Sequence, residues 1–192
     1  MKRFVLGVIV TLVVLGGLVW IYFGTGMAPV ATSAPPMPFE KRLARMAIRA
    51  RLRREMPTQV PVRADEPSLT AGAYVYVEHC AVCHGIPGQE QTAIGKGQFP
   101  PPPHLFRGKG VTDDEPGETY WKVSNGIRLT GMPGFNRQLS TTQMWQVSLL
   151  LTHADKLPDS TMVVLANTSK SYTSMGADDQ KPAQVLRLQT KR

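Results

Sequence analysis

Both cysteines of this 192-residue chain lie three positions apart, in the segment EHCAVCHGIPG (residues 78–88), and a histidine follows the second directly. Residues at positions i and i+3 share one face of a helix, so Cys80 and Cys83 are expected on the same side with His84 within reach. Because the sequence holds no other thiol, this motif restricts the chemistry of the chain more than any other feature.

The C-x-x-C-H spacing is typical of c-type haem attachment. Each thiol can add to one vinyl group of the porphyrin, while the imidazole reaches the iron from one face. We therefore predict one covalently bound haem c, held by Cys80 and Cys83, with His84 as an iron ligand. A zinc ribbon would need a second C-x-x-C or a histidine pair. A thioredoxin-like dithiol would need a preceding strand, and a disulfide across so short a loop would stabilise little.

The second axial ligand has to come from elsewhere in the chain. The downstream candidates are His104, His153, Met132, Met144, Met162 and Met175. Met144 and His153 fall on an apolar helical segment, where methionine more often fills the core. Met132 lies in RLTGMPGF, between Gly131 and Pro133, on a loop that cannot continue a helix. Such a short, stiff loop holds a thioether in one place, so we predict Met132 as the second iron ligand.

The N-terminus begins MKR and continues with twenty uncharged residues, 4–23. At about 1.5 Å per residue this run spans roughly 30 Å, the thickness of a bilayer core. A cleaved signal peptide is the alternative, but its apolar region is usually about 7–15 residues and its cleavage site has small residues. The nearest such site, ATSA, precedes Pro35. We predict an uncleaved single-pass anchor over residues 1–24, with Lys2 and Arg3 on the cytoplasmic side.

The formal charge of +8 is distributed unevenly. Between Asp65 and Asp159 there are 7 Lys or Arg against 10 Asp or Glu, whereas the rest of the chain carries 15 against 4. A nucleic-acid reader should carry its positive charge on the folded domain. The distribution therefore argues against nucleic acid as a partner.

Seven basic residues lie between Lys41 and Arg54, in a segment with Phe39, Leu43, Met46, Ala47 and Ala50 at helical spacing. This predicts a basic amphipathic helix within a linker over residues 25–64. Two interpretations stay open. The helix is either a solvated spacer, or it lies on anionic headgroups or on an acidic partner subunit.

The remaining sequence predicts an all-α domain over residues 65–158, because no alternating strand pattern of any length occurs. The first helix starts at Ser68 and carries a stripe of Leu69, Gly72, Ala73, Tyr76 and Cys80. The second begins near Pro116 and ends at Gly126, and the third runs from a capping box of Ser140 and Gln143 to Pro158. We expect a polar C-terminal tail with little order over residues 159–192.

Four segments together resemble a membrane-anchored, monohaem class I cytochrome c over about residues 65–157: the helix ending in CAVCHG, the PHL segment, NGIRLTGMPGF, and the last helix with Trp145. The resemblance implies that the first and last helices cross with Gly72 and Tyr76 against Trp145 and Leu149. It also implies that the Pro103 carbonyl accepts the Nδ1 proton of His84 and that Leu105 contacts the haem. The proline run FPPPPH (residues 99–104) is longer than is usual in that family.

Four further side chains were assigned from chemical type and position. Trp121 and Arg128 precede the Met132 loop and carry the N–H donors that haem propionates accept, so we predict both as propionate partners. We expect His79 and His104 to be exposed and neutral.

An iron with His and Met ligands has no open position for a substrate, which predicts a one-electron carrier rather than an enzyme. Thioether ligation raises the reduction potential, so the carrier should act late in a respiratory chain, between a membrane donor complex and a terminal oxidase or dehydrogenase. It could act alone or as the cytochrome subunit of a larger oxidoreductase complex. Resemblance to the family implies haem addition outside the cytoplasmic membrane, which places residues 24–192 in the periplasm of a bacterial cell. The alternative is a haem sensor or a catalytic haem subunit in which Met132 dissociates.

Overall fold

The computed structural model describes residues 1–108 and 112–167, and throughout these two ranges the regular structure is helical with no strand, which confirms the all-α class. The helices up to residue 152 are, in order, α1 (Lys2–Gly24), α2 (Glu40–Glu55), α3 (Glu66–His79), α4 (Ala81–His84), α5 (Ala93–Lys96), α6 (Pro116–Asn125) and α7 (Thr141–Thr152). The chain divides into two compact units, Met1–Met46 and the part from Ala47 onwards.

The first unit contains α1, which covers the predicted apolar run. None of its 23 residues is buried, and its most apolar window has a mean hydropathy of 2.7. By length and composition this helix could cross a membrane. A signal sequence has a similar composition, so the anchor remains a prediction.

Helix α2 confirms the predicted basic helix but crosses the boundary between the units. Leu52 is buried, and the Trp121 indole N–H donates to Glu55 at 3.2 Å. A Cβ on Gly117 would collide with the backbone carbonyl of Pro57. Glu55 and Pro57 therefore contact α6 inside the second unit, so residues 47–64 are more than the linker that the sequence predicts.

Helix α3 starts earlier than predicted, because Asp65 and not Ser68 caps it. The Asp65 carboxylate accepts from the Ser68 amide at 3.1 Å, and these hydrogen bonds with Ser68 lower the pKa of Asp65. A carboxylate at a helix N-terminus also faces the positive end of the helix dipole. The predicted inner stripe of α3 is buried at Leu69, Gly72, Ala73 and Tyr76.

Helices α3 and α7 cross at Gly72, as the resemblance implied, but the aromatic contact differs. Gly72 lies against the backbone of Gln146 and Val147. The ring of Trp145 stacks on Tyr120 of α6, with centroids 4.2 Å apart. Tyr76 instead meets Phe106 edge-on at 5.0 Å. Trp145 therefore joins α7 to α6.

Helix α6 follows the prediction from Pro116 to its cap at Gly126. Helix α7 has the predicted capping box of Ser140 and Gln143. It ends at Thr152, however, and not at Pro158, because His153 adopts a non-helical conformation as C-cap and its backbone N–H closes the last turn.

The expectation of a disordered tail directly after residue 158 was wrong for its first part. Residues 159–167 are helical, and Thr161 and Leu165 are fully buried. The Thr161 hydroxyl lies 2.9 Å from that of Thr70, and Ser160 donates to Glu66 at 2.6 Å. This helix therefore closes over α3. Residues 168–192 lie outside the described part of the chain.

Candidate haem site

The C-x-x-C-H motif forms a single helical turn directly after α3. The Cys80 carbonyl accepts from the amides of Cys83 at 3.1 Å and His84 at 2.9 Å. Gly85 ends the turn with a positive φ of 76°, a conformation that glycine adopts without strain. The buried Tyr76 hydroxyl donates to the Gly85 carbonyl at 2.6 Å. This fixes the turn against α3 and sets both thiols on one side.

The turn borders a mostly apolar cavity of about 170 Å³ that is partly open to solvent. Five of the eight predicted site residues line it: Cys80, Cys83, His84, Pro103 and Met132. The structure thus brings both sulfurs, an imidazole and a thioether from 48 positions downstream of His84 to one cavity.

The carbonyl of Pro103 lies 2.8 Å from His84 Nδ1. A carbonyl can only accept, so Nδ1 carries the proton and the Nε2 lone pair is left for a metal. Burial lowers the pKa of His84, which the Pro103 hydrogen bond opposes only in part. The imidazole is therefore neutral, the form that binds iron. Pro103 is the last proline of the FPPPPH segment and the one that the resemblance implied.

Three side chains absent from the sequence prediction brace the motif. Gln91 donates from Nε2 to the Cys83 carbonyl at 3.1 Å and to the Pro102 carbonyl at 2.7 Å. Thr92 caps α5 and its hydroxyl donates to the Val82 carbonyl. The only signal in the sequence was the T-x-x-G pattern of a short cap. The contacts themselves need the loop over residues 85–98 to fold back, which sequence spacing does not show.

Gln98 is the third missed residue. Its Nε2 lies 3.0 Å from Cys83 Sγ, and a Cβ on Gly131 would lie 2.6 Å from its Cδ. Gln98 therefore touches both the cysteine turn and the loop before Met132.

The Met132 loop is held by hydrogen bonds between its own residues. The Ile127 amide donates to the Met132 carbonyl at 3.2 Å, and the Met132 amide donates to the Thr130 hydroxyl at 3.1 Å. Gly126 has a φ of 67°, and a Cβ there would lie 2.5 Å from the Gly134 amide nitrogen. The loop can thus pass over Gly126 only because that residue lacks a side chain.

The other three predicted site residues do not line the cavity. Leu105 is buried in the core. Trp121 gives its indole N–H to Glu55, and Arg128 is exposed. The sequence placed Trp121 and Arg128 near the loop by chain distance, whereas helix α6 turns Trp121 towards α2.

His79 and His104 are half-buried and not exposed as expected. His79 lines the cavity with its ring 5.8 Å from that of Phe135. His104 lies between the Gln89 carbonyl, 2.9 Å from Nε2, and the Phe106 amide, which donates to Nδ1 at 3.3 Å. These partners use one ring nitrogen as a donor and the other as an acceptor.

Burial raises the pKa of the Cys80 thiol to about 12, with Cys83 adding to the shift. The unmodified thiol therefore stays protonated at neutral pH. Because metals bind the thiolate, this environment suits a thioether better than a metal–thiolate bond.

Comparison with known proteins agrees with this geometry. Residues 67–149 match the family model described as cytochrome C oxidase, cbb3-type, subunit III. This range contains the cysteine turn, Pro103 and Met132. The matched range is a cytochrome c domain. Its family implies a c-type haem and electron transfer, and the chain carries an apolar helix at its N-terminus.

Among solved structures, the cytochrome domain is similar to a chain of the Kuenenia stuttgartiensis reducing HAO-like protein complex. The identity is 25% and the TM-score 0.44, over 51% of this chain and 48% of that chain. This chain therefore spans about half the length of that relative. No curated protein matches it.

Proposed function

We propose that the cytochrome is a membrane-anchored one-electron carrier, with one haem attached through Cys80 and Cys83 and ligated by His84 and Met132. The observation that supports this most is that both sulfurs, the imidazole and the thioether line one apolar cavity. The residues fit the group, since the cavity is apolar and its donors are those of a c-type site. When bound, the haem iron supplies a single electron by cycling between its ferric and ferrous states.

The chain's own residues serve this role by holding the site rigid. Pro103 fixes the tautomer and orientation of His84. Gln91 and Thr92 bind the backbone carbonyls of the cysteine turn. Rigid ligands keep the site the same in both oxidation states, which favours fast electron transfer over ligand exchange or catalysis.

We further propose that α1 anchors the chain in the bacterial inner membrane with the haem domain on the periplasmic side. The length and composition of α1 support this. Partners would be a membrane donor complex and a terminal oxidase or dehydrogenase. The matched family model is described as an oxidase subunit, which supports a role as the cytochrome subunit of such a complex as well as that of a free carrier.

The test is spectroscopic and uses the full chain purified in mild detergent from cells that mature c-type cytochromes. We expect a pyridine haemochrome of the thioether type, haem that stays with the polypeptide under denaturing conditions, and no carbon monoxide binding by the reduced protein at neutral pH. A colourless protein whose Cys80 and Cys83 both alkylate would contradict haem attachment. Carbon monoxide binding would favour the alternative sensor or catalytic role, in which Met132 dissociates.

A further inference from the structure

Helix α2 has two apolar faces. Ile48 and Leu52 are four residues apart and therefore share one face, where Leu52 is only 5% exposed. Leu43 and Met46 are three residues apart and share a second face. Because each residue advances the helical wheel by about 100°, this second face lies nearly opposite the first. Phe39 directly precedes the helix, and its carbonyl accepts from the Leu43 amide at 2.9 Å. We call Phe39, Leu43 and Met46 the outer stripe.

The outer stripe is open to solvent. Phe39 is 70% exposed, Leu43 56% and Met46 63%. Phe39 also has a φ of 64°, which is unusual for a bulky residue. Exposed apolar side chains that share one helix face usually mark a contact surface.

The charge around the stripe indicates an anionic contact. From Glu40 to Glu55 the helix carries seven Lys or Arg and only those two acidic residues. One of the two, Glu55, is already paired with Arg51 at 2.8 Å and accepts from Trp121. A basic helix with an apolar stripe has the composition of an element that lies in the headgroup region of a bilayer.

Chain length favours a lipid surface over a protein partner. Fifteen residues, 25–39, separate α1 from α2. A flexible linker of that length has a root-mean-square span of roughly 20 Å. If α1 crosses the bilayer, as proposed above, α2 is held at high effective concentration beside the headgroups on the same side.

We propose that the outer stripe of α2 and its flanking arginines bind anionic phospholipid at the membrane surface. This inference rests on the anchoring role proposed for α1. The apolar side chains of the stripe would insert at the headgroup boundary, while Arg42 and Arg49, beside the stripe, contact phosphate groups. Leu52, on the opposite face, would keep its packing in the cytochrome unit.

The test uses the full holoprotein in nanodiscs, with a nitroxide at Leu43→Cys. In the haem-loaded protein Cys80 and Cys83 are bound, so one label per chain is expected, which mass spectrometry verifies. The matched control is Ala44→Cys, which is one residue away, exposed and leaves every charge in place. A third label at Leu12→Cys reports whether α1 is inside the bilayer.

In nanodiscs containing phosphatidylglycerol, we expect the Leu43 label to lose access to a water-soluble nickel complex and gain access to oxygen, while the Ala44 label changes less. Pure phosphatidylcholine, or Arg42→Glu with Arg49→Glu, should abolish the difference. A Leu43 label equally open to water in both lipids, with the Leu12 label buried in lipid, would overturn this proposal alone and point to a protein partner. A Leu12 label open to water would overturn the anchor and this inference together, whereas more than one label per chain would contradict haem attachment instead.

Discussion

Gly72 of α3 packs directly on the backbone of Gln146 in α7. A Cβ at Gly72 would lie 2.7 Å from the Gln146 carbonyl carbon and closer still to its oxygen. Both are backbone atoms, so they cannot swing aside as a side chain would. Because α3 carries the cysteine turn at its end, this contact sets where the turn lies relative to the last helix.

Gly72→Ala should therefore destabilise the domain. Overpacking costs about 1–3 kcal/mol, and we expect the upper part of this range because the clash is with backbone. This overpacking cost exceeds the gain of about 1 kcal/mol in helix propensity that alanine has over glycine. Denaturant unfolding followed by circular dichroism measures the change. The control, Tyr74→Ala, changes an exposed residue of the same helix and should shift stability by less than about 1 kcal/mol; equal effects would mean that the crossing tolerates a methyl group.

Met132→Ala should leave the haem attached, open a coordination position and lower the reduction potential, because a thioether ligand stabilises ferrous iron. Absorption spectra with and without carbon monoxide, and a redox titration, measure these changes. Met144→Leu is the control, since Met144 is buried in the core on α7. If the Met132 variant keeps the wild-type spectrum, another residue is the ligand.

Gly126→Ala should weaken Met132 ligation without touching the methionine itself. The added Cβ would lie 2.5 Å from the Gly134 amide nitrogen and 2.8 Å from the Met132 carbonyl oxygen, so the loop has to move. Gly88→Ala separates this effect from backbone strain, because Gly88 also has a φ of 76° but has open space around its Cβ position. Both variants should lose about 1–3 kcal/mol to backbone strain. Only the Gly126 variant should gain carbon monoxide binding, and the same gain in both variants would refute the steric explanation.

Asp65 should give the domain part of its acid sensitivity. Its pKa is lowered by hydrogen bonds with Ser68, so its stabilising effect is complete above the unfolded-state pKa near 3.8 and is lost as pH falls through the lower folded-state value. Asp65→Asn keeps a capping side chain but cannot titrate, so its melting temperature should fall less between pH 5 and pH 3 than that of the wild type. Asp65→Ala should melt lower at every pH above this window. Parallel melting curves for wild type and the Asn variant would exclude this role.

Leu52→Ala should destabilise the cytochrome unit by about 2 kcal/mol or more, since Leu52 is buried. Leu43→Ala, on the exposed outer stripe, should change unfolding in detergent by less than about 0.5 kcal/mol. Thermal unfolding of both variants measures the difference. Equal losses would show that the two faces of α2 are not distinct in solution.

Local patterns in the sequence by themselves determined several helices of this protein and its candidate haem motif. The C-x-x-C-H turn, the apolar run of α1, the capping box at Ser140 and the stop at Gly126 are all local patterns. A helix cap or a ligand motif is made by residues within four or five positions, so its signal survives in the linear chain. For the same reason, the G-M-P segment by itself predicts a short, stiff loop at Met132.

Tertiary structure alone decided which distant groups meet. Gln98 reaches Cys83 across 15 positions, Thr161 reaches Thr70 across 91, and Trp121 reaches Glu55 across 66. The last contact explains why Trp121 does not line the cavity as predicted. Contacts of this kind depend on how loops fold back and on which helix face is buried, and several side chains of the same type can fill them. Their partners are therefore chosen by packing, and no pattern along the chain records that choice.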